Sequence, residues 1–509
     1  MKSSRSFHFA YIVGSLVAAI IALAGILSES PMLYGTVPGI IGGAMAIFAT
    51  VRFLKEKKDL PGFIATICGF IYYQEFQANP VTQPDFVTSL QSIPIQDQAI
   101  GIFLSNLVPA ILLISLHLIA NSLHGAIRRW VPDPARVRRA DVDRQVMTGF
   151  WVVFIVVAVP NVLFGKVVVG AIDNILYQRM TWADAENYSG FNVWGGALGN
   201  SIANMGLWAT SLLFLWMYLL RSRYRRWMLV LSPLVLLWTA SVGLQGSRTY
   251  LVVMGIAVFV YFLGSPRIGM KSIGYAMLVI PVLFLLVQIS THFRGSGLQS
   301  VNLPELSAHL LEIRGNEGAS SQIDGIQYFR TELLEKGLAA NPVIGFFRGM
   351  VERPYEGLLM PVPRSLFPWK TVDESGKQFN LFYQNVRLGV PSDESFLGAS
   401  PGLIGRELIK YGILGPLTLC FWLGLLLGLA DQLYAIGAAS DFHRIFATLL
   451  IAFVVAQARD FAPVWFIPFL PASVIFGLIA RQAHRKRPAG SKNSARPKAK
   501  SDPLSASLP

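Results

Sequence analysis

Cysteine and charge are both scarce in this chain, and each scarcity removes a class of protein. The only cysteines, Cys68 and Cys420, lie in apolar segments, which excludes a disulfide framework and a thiolate metal site. Charged residues are 14% of the 509, against 53% hydrophobic ones, whereas soluble domains carry roughly a quarter charged residues. A soluble protein this apolar could not cover its surface with polar groups. No zinc-binding spacing, phosphate-loop glycine pattern or nucleophile elbow occurs. The βα alternation of a soluble nucleotide-sugar-binding domain is missing, as is any repeat of solenoid or propeller period. Neither a metal, a cofactor nor a nucleic-acid partner is expected.

Long apolar runs are abundant instead. A spanning helix needs roughly 20 mostly apolar residues, and clear runs cover 9–27, 34–53, 99–120, 149–170, 198–220, 227–244, 249–264, 272–291, 403–430, 445–458 and 464–480. The run 61–78 is weaker, because it contains Tyr72, Tyr73, Gln74 and Glu75. The first run, after Lys2 and Arg5, reads as a retained helix, since Ser28-Glu29-Ser30-Pro31 makes a poor cleavage site.

Charge placement sets the sidedness. Lys and Arg accumulate on cytoplasmic loops. Well over half of the 43 basic residues fall in Arg52–Lys58, Arg128–Arg144, Arg221–Arg226, Arg267–Lys271 and Arg481–Lys500, together with Lys2, Arg5 and Arg444. The connections assigned outside over 28–33, 79–98, 171–197, 244–248 and 459–463 hold only Arg179, Arg248 and Arg459. Because 52–58 and 128–144 are both inside, 61–78 must cross along with 99–120. The expected fold is therefore an all-α polytopic membrane protein with about 12 transmembrane helices and both termini inside. Its domains are a bundle of about nine helices over 1–291, an extracytoplasmic loop domain over 292–402 between helices 9 and 10, about three helices over 403–481, and a basic, disordered cytoplasmic tail over 482–509. Within the loop, Ile323, Ile326, Phe329, Leu333 and Leu334 predict an amphipathic helix at about 321–336, with Ser320-Ser321 as N-cap and Gly337 as terminator. Beyond it, Pro354, Pro361, Pro363 and Pro368 predict extended, turn-rich backbone.

Several arginines stand apart from the cytoplasmic clusters: Arg248 in Gly246-Ser247-Arg248-Thr249, Arg294 in Phe293-Arg294-Gly295, Arg364 in Pro363-Arg364-Ser365, Arg406 at the opening of the tenth span, and Arg459 beside Asp460. Such a cation works against the topology bias, and at a helix centre it would cost ~2.5–3.5 kcal/mol. Convergent guanidiniums suit a phosphate or pyrophosphate, gripped through paired hydrogen bonds worth about 1.5–3 kcal/mol each. The blander alternatives are a local Arg459–Asp460 pair, headgroup anchoring by Arg294, and an Arg406 paired with Glu407. Glu394, Glu407 and His292 are candidate bases toward a sugar hydroxyl. Against that, Asp393-Glu394 also fits a solvated loop, and His292 a structural role at a helix end.

These features resemble the Wzy-type oligosaccharide repeat-unit polymerases of bacterial O-antigen, capsule and exopolysaccharide assembly, which are related to the O-antigen ligases. The resemblance rests on Gly246-Ser247-Arg248-Thr249, Phe293-Arg294, Pro363-Arg364-Ser365-Leu366-Phe367-Pro368-Trp369-Lys370, and Gly405-Arg406-Glu407-Leu408 with Tyr411-Gly412-Ile413-Leu414-Gly415. The many spans with a large outer loop before the last few match as well. It implies a GT-C-like helical bundle in the bacterial plasma (inner) membrane, with an active site facing the periplasm. It implies transfer of a glycan from undecaprenyl pyrophosphate to another lipid-linked repeat unit, with Arg248, Arg294, Arg364, Lys370, Arg406, Tyr411 and Arg459 on the pyrophosphate or glycan. Undecaprenyl-pyrophosphate-linked glycans, membrane lipids, a chain-length regulator and a flippase are the implied partners. The donor already carries its leaving group, so no nucleotide is required.

The alternatives are an O-antigen ligase, a lipid-linked glycan flippase or secondary transporter, and a non-catalytic partner of a synthase. Ligases typically show a histidine before the last spans, whereas this chain has none between His309 and His443. A twelve-helix transporter of the major-facilitator type would place its large loop centrally and in the cytoplasm.

Overall fold

The computed structural model describes residues 2–30, 32–56, 59–76, 95–130, 260, 324–359, 375–383, 385, 402–437 and 441–456. Among them all regular structure is helical. The elements are α1 (Lys2–Leu27), a π-helical turn (Met32–Thr36) leading into α2 (Val37–Glu56), α3 (Leu60–Phe76), α4 (Ile95–Trp130), a second π-helical turn (Phe329–Leu334), α5 (Pro342–Leu359), α6 (Ser375–Phe382), α7 (Gly402–Tyr411), α8 (Gly415–Gly437) and α9 (Asp441–Ala456). Four stretches are long and apolar enough to cross a membrane: Ser6–Leu27, Met32–Glu56, Ala99–Leu118 and Gly415–Leu433. The runs 149–170, 198–220, 227–244, 249–264, 272–291 and 464–480 and the tail 482–509 lie outside the described residues, apart from Val260.

Side-chain placement on the first helices differs from that of a soluble bundle. Phe9, Ile20, Ile40, Ile47 and Phe48 point outward, while Ser15, Ala18, Ala22, Thr66, Ser105 and Asn106 are buried. Large apolar groups facing out and small or hydroxylated ones facing in suit a lipid solvent, where close packing and interhelical hydrogen bonds hold helices together. The described chain is an all-α membrane protein.

The first four helices run side by side in alternating directions. At one end, Arg52 of α2 donates to Asp59, just before α3, at 2.7 Å. At the other, the Tyr73 hydroxyl of α3 donates to the Gly35 carbonyl at 2.5 Å. Helix α3 therefore runs the length of α2, although its apolar stretch Leu60–Tyr73 is short. Pro109 lies within α4, where a proline removes a backbone donor. One residue on, the buried Ser15 hydroxyl of α1 donates to the Asn106 carbonyl and accepts the Ala110 N–H. A neighbouring serine thus supports the backbone next to the proline, which is how membrane helices tolerate one.

Helix α8 packs along α4, and a Cβ on Gly424 would lie 2.6 Å from the Leu112 carbonyl oxygen and from Ser115. Near the α1–α2 turn, Ala22, Tyr34, Tyr73, Ala99, Ile102 and Leu104 form one apolar cluster with Ile326 and Phe329, ahead of α5, and with Ile404 and Leu408 of α7. Parts of the stretch 292–402 thus sit on the same end of the bundle as the α1–α2 connection.

Within the expected helix at 321–336, the described residues are helical from Asp324 and end with Gly337 at φ +70°; Ser320 and Ser321 lie outside them. Two expectations are corrected. The run 403–430 is not one span: α7 stops at Tyr411, Gly412 turns the chain at φ +74°, and α8 starts afresh. Arg406, Glu407 and Lys410 make α7 a boundary helix rather than a lipid-buried one, and only glycine adopts that turn without strain. Pro354 does not end helical structure either, because α5 continues through it to Leu359. Asn341 caps α5, accepting the Val343 N–H at 3.0 Å, and Pro342 suits its first position. Packing on α7 and α8 then offsets the lost hydrogen bond. Pro361, Pro363 and Pro368 lie outside the described residues.

That packing depends on close approach. A Cβ on Gly345 would lie 1.9 Å from the Tyr411 carbonyl oxygen, and one on Gly349 would lie 2.5 Å from the Thr418 hydroxyl. Gly345→Leu is expected to destabilise the α5 contact by about 1–3 kcal/mol through overpacking. Faster proteolysis within 342–359 of the membrane-inserted protein measures it. Gly35→Ala, whose added Cβ meets nothing within 4 Å, serves as the unaffected control.

Candidate functional site

Three glycine-and-arginine positions spaced four apart, Gly345, Gly349 and Arg353, turn one face of α5 toward α7 and α8. Arg353 is only 2% exposed and forms an ion pair with Glu407, also 2% exposed. Its Nη2 also donates to the Gly415 carbonyl at 3.3 Å and to the Thr418 hydroxyl at 3.2 Å. The guanidinium carbon lies 4.9 Å from the centre of the Tyr411 ring, a cation–π contact. One side chain of α5 therefore engages the end of α7, the junction and the first turn of α8. Burying either charge alone would cost several kcal/mol, and the pair is tolerated because each neutralises the other.

A second ion pair docks the segment ahead of α5. Arg330 grips Asp97 with two parallel bonds, Nε to Oδ1 at 2.7 Å and Nη2 to Oδ2 at 3.2 Å, and reaches Glu335 at 2.5 Å. Asp97 is fully buried in the first turn of α4, where a carboxylate complements the helix dipole. The hydrogen bond from Arg330 to Asp97 is the main influence raising the arginine's pKa. Close by, Tyr328 stacks edge-on against Phe379 and Phe382 of α6, with ring centres 6.2 and 5.0 Å away.

The opposite end of the bundle holds a third polar group. Asp59, at φ +65°, takes bonds from His8 and Arg52 and from the Gly62 N–H at 3.2 Å. His8 also meets His117 of α4 at 3.0 Å, and Arg52 lies 3.5 Å over the Phe7 ring. These contacts tie α1, α2, α3 and α4 together where the basic segment 52–58 begins. Among the described residues no group of three or more His, Cys, Asp or Glu could hold a metal ion.

Of the sequence-derived site residues, three are described, and all lie on α7. Glu407 is buried against Arg353, and Tyr411 lies beneath the Arg353 guanidinium. Arg406 is half-buried, as is Lys410 one turn later. Arg248, His292, Arg294, Arg364, Lys370, Glu394 and Arg459 lie outside the described residues. Sequence reasoning missed Arg353, although the Gly-three-residues-Gly-three-residues-Arg spacing was a readable signal for a packed helix face. It also missed Asp97 and Arg330, which are 233 residues apart and carry no local pattern. The chain matches no family model, no curated protein and no solved structure.

Arg353→Ala is expected to cost about 3–5 kcal/mol, because Glu407 would be left buried without its counter-charge. The double variant Arg353→Met with Glu407→Leu should recover most of that loss. Thermal unfolding of the Arg353→Ala variant and the double variant in detergent measures the difference.

Proposed function

We propose that this protein is a membrane glycosyltransferase that polymerises lipid-pyrophosphate-linked oligosaccharide repeat units into O-antigen, capsular or exopolysaccharide on the outer face of a bacterial plasma membrane. The observation that carries the reading is the position of α7. This helix buries Leu403, Ile404, Glu407, Leu408 and Tyr411 and leaves Arg406 and Lys410 half-exposed one turn apart, just before α8 enters its candidate span at Gly415. That is the height at which a lipid-linked diphosphate would sit. The proposal takes this end of the bundle as extracytoplasmic, following the distribution of Lys and Arg.

In this reading Arg248, Arg294, Arg364, Lys370 and Arg459 join Arg406 around the pyrophosphate. The acceptor hydroxyl attacks the anomeric carbon of the donor glycan, the bond to the pyrophosphate oxygen breaks, and the arginines stabilise the charge gathering on the departing diphosphate. A carboxylate or histidine takes the acceptor proton. Glu407 could do so only after Arg353 is drawn away, since its protonation would leave a buried guanidinium without a counter-charge. Glu394 and His292 are the stronger candidates for the base on that ground. Tyr411 is packed under Arg353, which supports a role in holding α7 more than one in gripping substrate.

Arg248→Ala and Arg364→Ala are expected to insert normally while long glycan chains vanish and single repeat units remain. Gel analysis of the surface glycan alongside protein levels measures this. Normal chain lengths would remove those positions from the site, and lipid-linked units trapped on the cytoplasmic side would point to a flippase. Polymer formed by the purified protein from lipid-linked repeat units without nucleotide would exclude most rivals.

A further inference from the structure

The face of α5 opposite Gly345, Gly349 and Arg353 is apolar and open. Val343 is 61% exposed, Phe347 62% and Val351 68%, with Ile344 beside them. These positions fall within about a 100° arc at 3.6 residues per turn. The Arg348–Glu352 pair, at 2.9 Å, borders the row on the same helix. Leu338 and Ile413, close in sequence to the point where Ala340 meets Gly412, are exposed as well. In water such a patch would be a liability. What it meets follows from where the opposite face is fixed. Gly345 abuts Tyr411, Gly349 abuts Thr418, and Arg353 reaches Gly415 and Thr418. The helix therefore lies across the first turn of α8, at the edge of the candidate span Gly415–Leu433. At that height the solvent changes from water to hydrocarbon.

We propose that α5 is an interfacial anchor whose Val343, Ile344, Phe347 and Val351 row inserts into bilayer phospholipid at the boundary between headgroups and acyl chains. Length and composition fit this role better than spanning. Eighteen residues containing Arg348, Glu352, Arg353 and Glu356 are too polar to cross, while an exposed apolar stripe bordered by charged side chains is the pattern of a helix lying in the membrane surface. The outward faces of α1 and α2 are likewise apolar and open (Phe9, Ile20, Ile47), so the bundle presents apolar groups to its surroundings elsewhere as well. The anchor holds Arg353, and with it Glu407 and α7, at a fixed depth in the membrane. This inference needs only that the chain be embedded in a bilayer, and it stands or falls independently of the glycosyl-transfer reading.

The test is spin labelling of the full chain in phospholipid nanodiscs, with Cys68 and Cys420 replaced by alanine and one new cysteine at a time. Labels at Phe347→Cys and Val351→Cys are expected to collide with oxygen far more often than with a water-soluble nickel chelate. The ratio should place them about 5–10 Å below the phosphates, the depth of an interfacial helix. A label at Arg348→Cys should favour the aqueous chelate. Labels at 347 and 351 that favour the chelate would overturn the proposal. Labels shielded from both reagents would overturn it too, by showing that another segment of this chain or a second copy covers the face. Because both positions are exposed, the labels displace no packed side chain, and either position alone decides the question.

Discussion

A charge carried into an apolar helix junction must bring its counter-charge with it, and this constraint organises the end of the bundle where α7 and α8 meet. Arg353 and Glu407 come from helices separated by more than forty residues of sequence. Neither could be buried alone at a tolerable energy. Together they fix α5 on α7 while the same guanidinium bonds the first turn of α8. The Arg330–Asp97 pair does the equivalent for the segment before α5, tying it to the start of α4. Both pairs join the stretch 292–402 or its flank to helices that cross or border the membrane.

Sequence neighbours of both pairs meet in one apolar cluster. Ile326, Phe329, Ile404 and Leu408 pack there on Ala22, Tyr34, Tyr73 and Ile102. Dispersion and apolar burial supply the bulk of the attraction, and the ion pairs supply register. An apolar helix face tolerates sliding by a turn, whereas a buried arginine tolerates only the position where its carboxylate waits. Half-exposed Arg406 and Lys410 on α7 consequently take up defined positions at the membrane boundary. The geometry of the surface proposed for a lipid diphosphate is inherited from residues packed beneath it.

Much of the architecture of the described residues was legible because the lipid constraint is simple. Apolar length revealed α1, α2, α4 and α8, and the alternation of basic loops required α3 to run the bundle's length despite Tyr72 and Tyr73, which in the structure are buried against neighbours. The periodicity of Ile326, Phe329 and Leu333 with Gly337 located the helical segment before α5. Other features escaped for physical reasons. Hydropathy averaged α7 into α8, because a single glycine at positive φ hardly changes composition. Pro354 argued against a helix that tertiary packing sustains. Glu407 and Tyr411 were singled out by chemistry, yet the partner that gives each its environment, Arg353, lies far away in sequence. Long-range charge pairing leaves no periodic trace, so the candidate site was visible only as isolated residues.

The central claim is that α5 is held across the first turn of α8 by a close-packed face with a buried charge. Cysteines at Gly349 and Thr418, in the full chain with Cys68 and Cys420 replaced, test it in native membranes. A Cβ at 349 would stand 3.2 Å from that of Thr418, so mild oxidation should form an intramolecular disulfide in nearly all molecules, and a Glu407→Gln background should reduce the yield. Free thiols at both positions after oxidation in the otherwise unaltered protein would contradict the account.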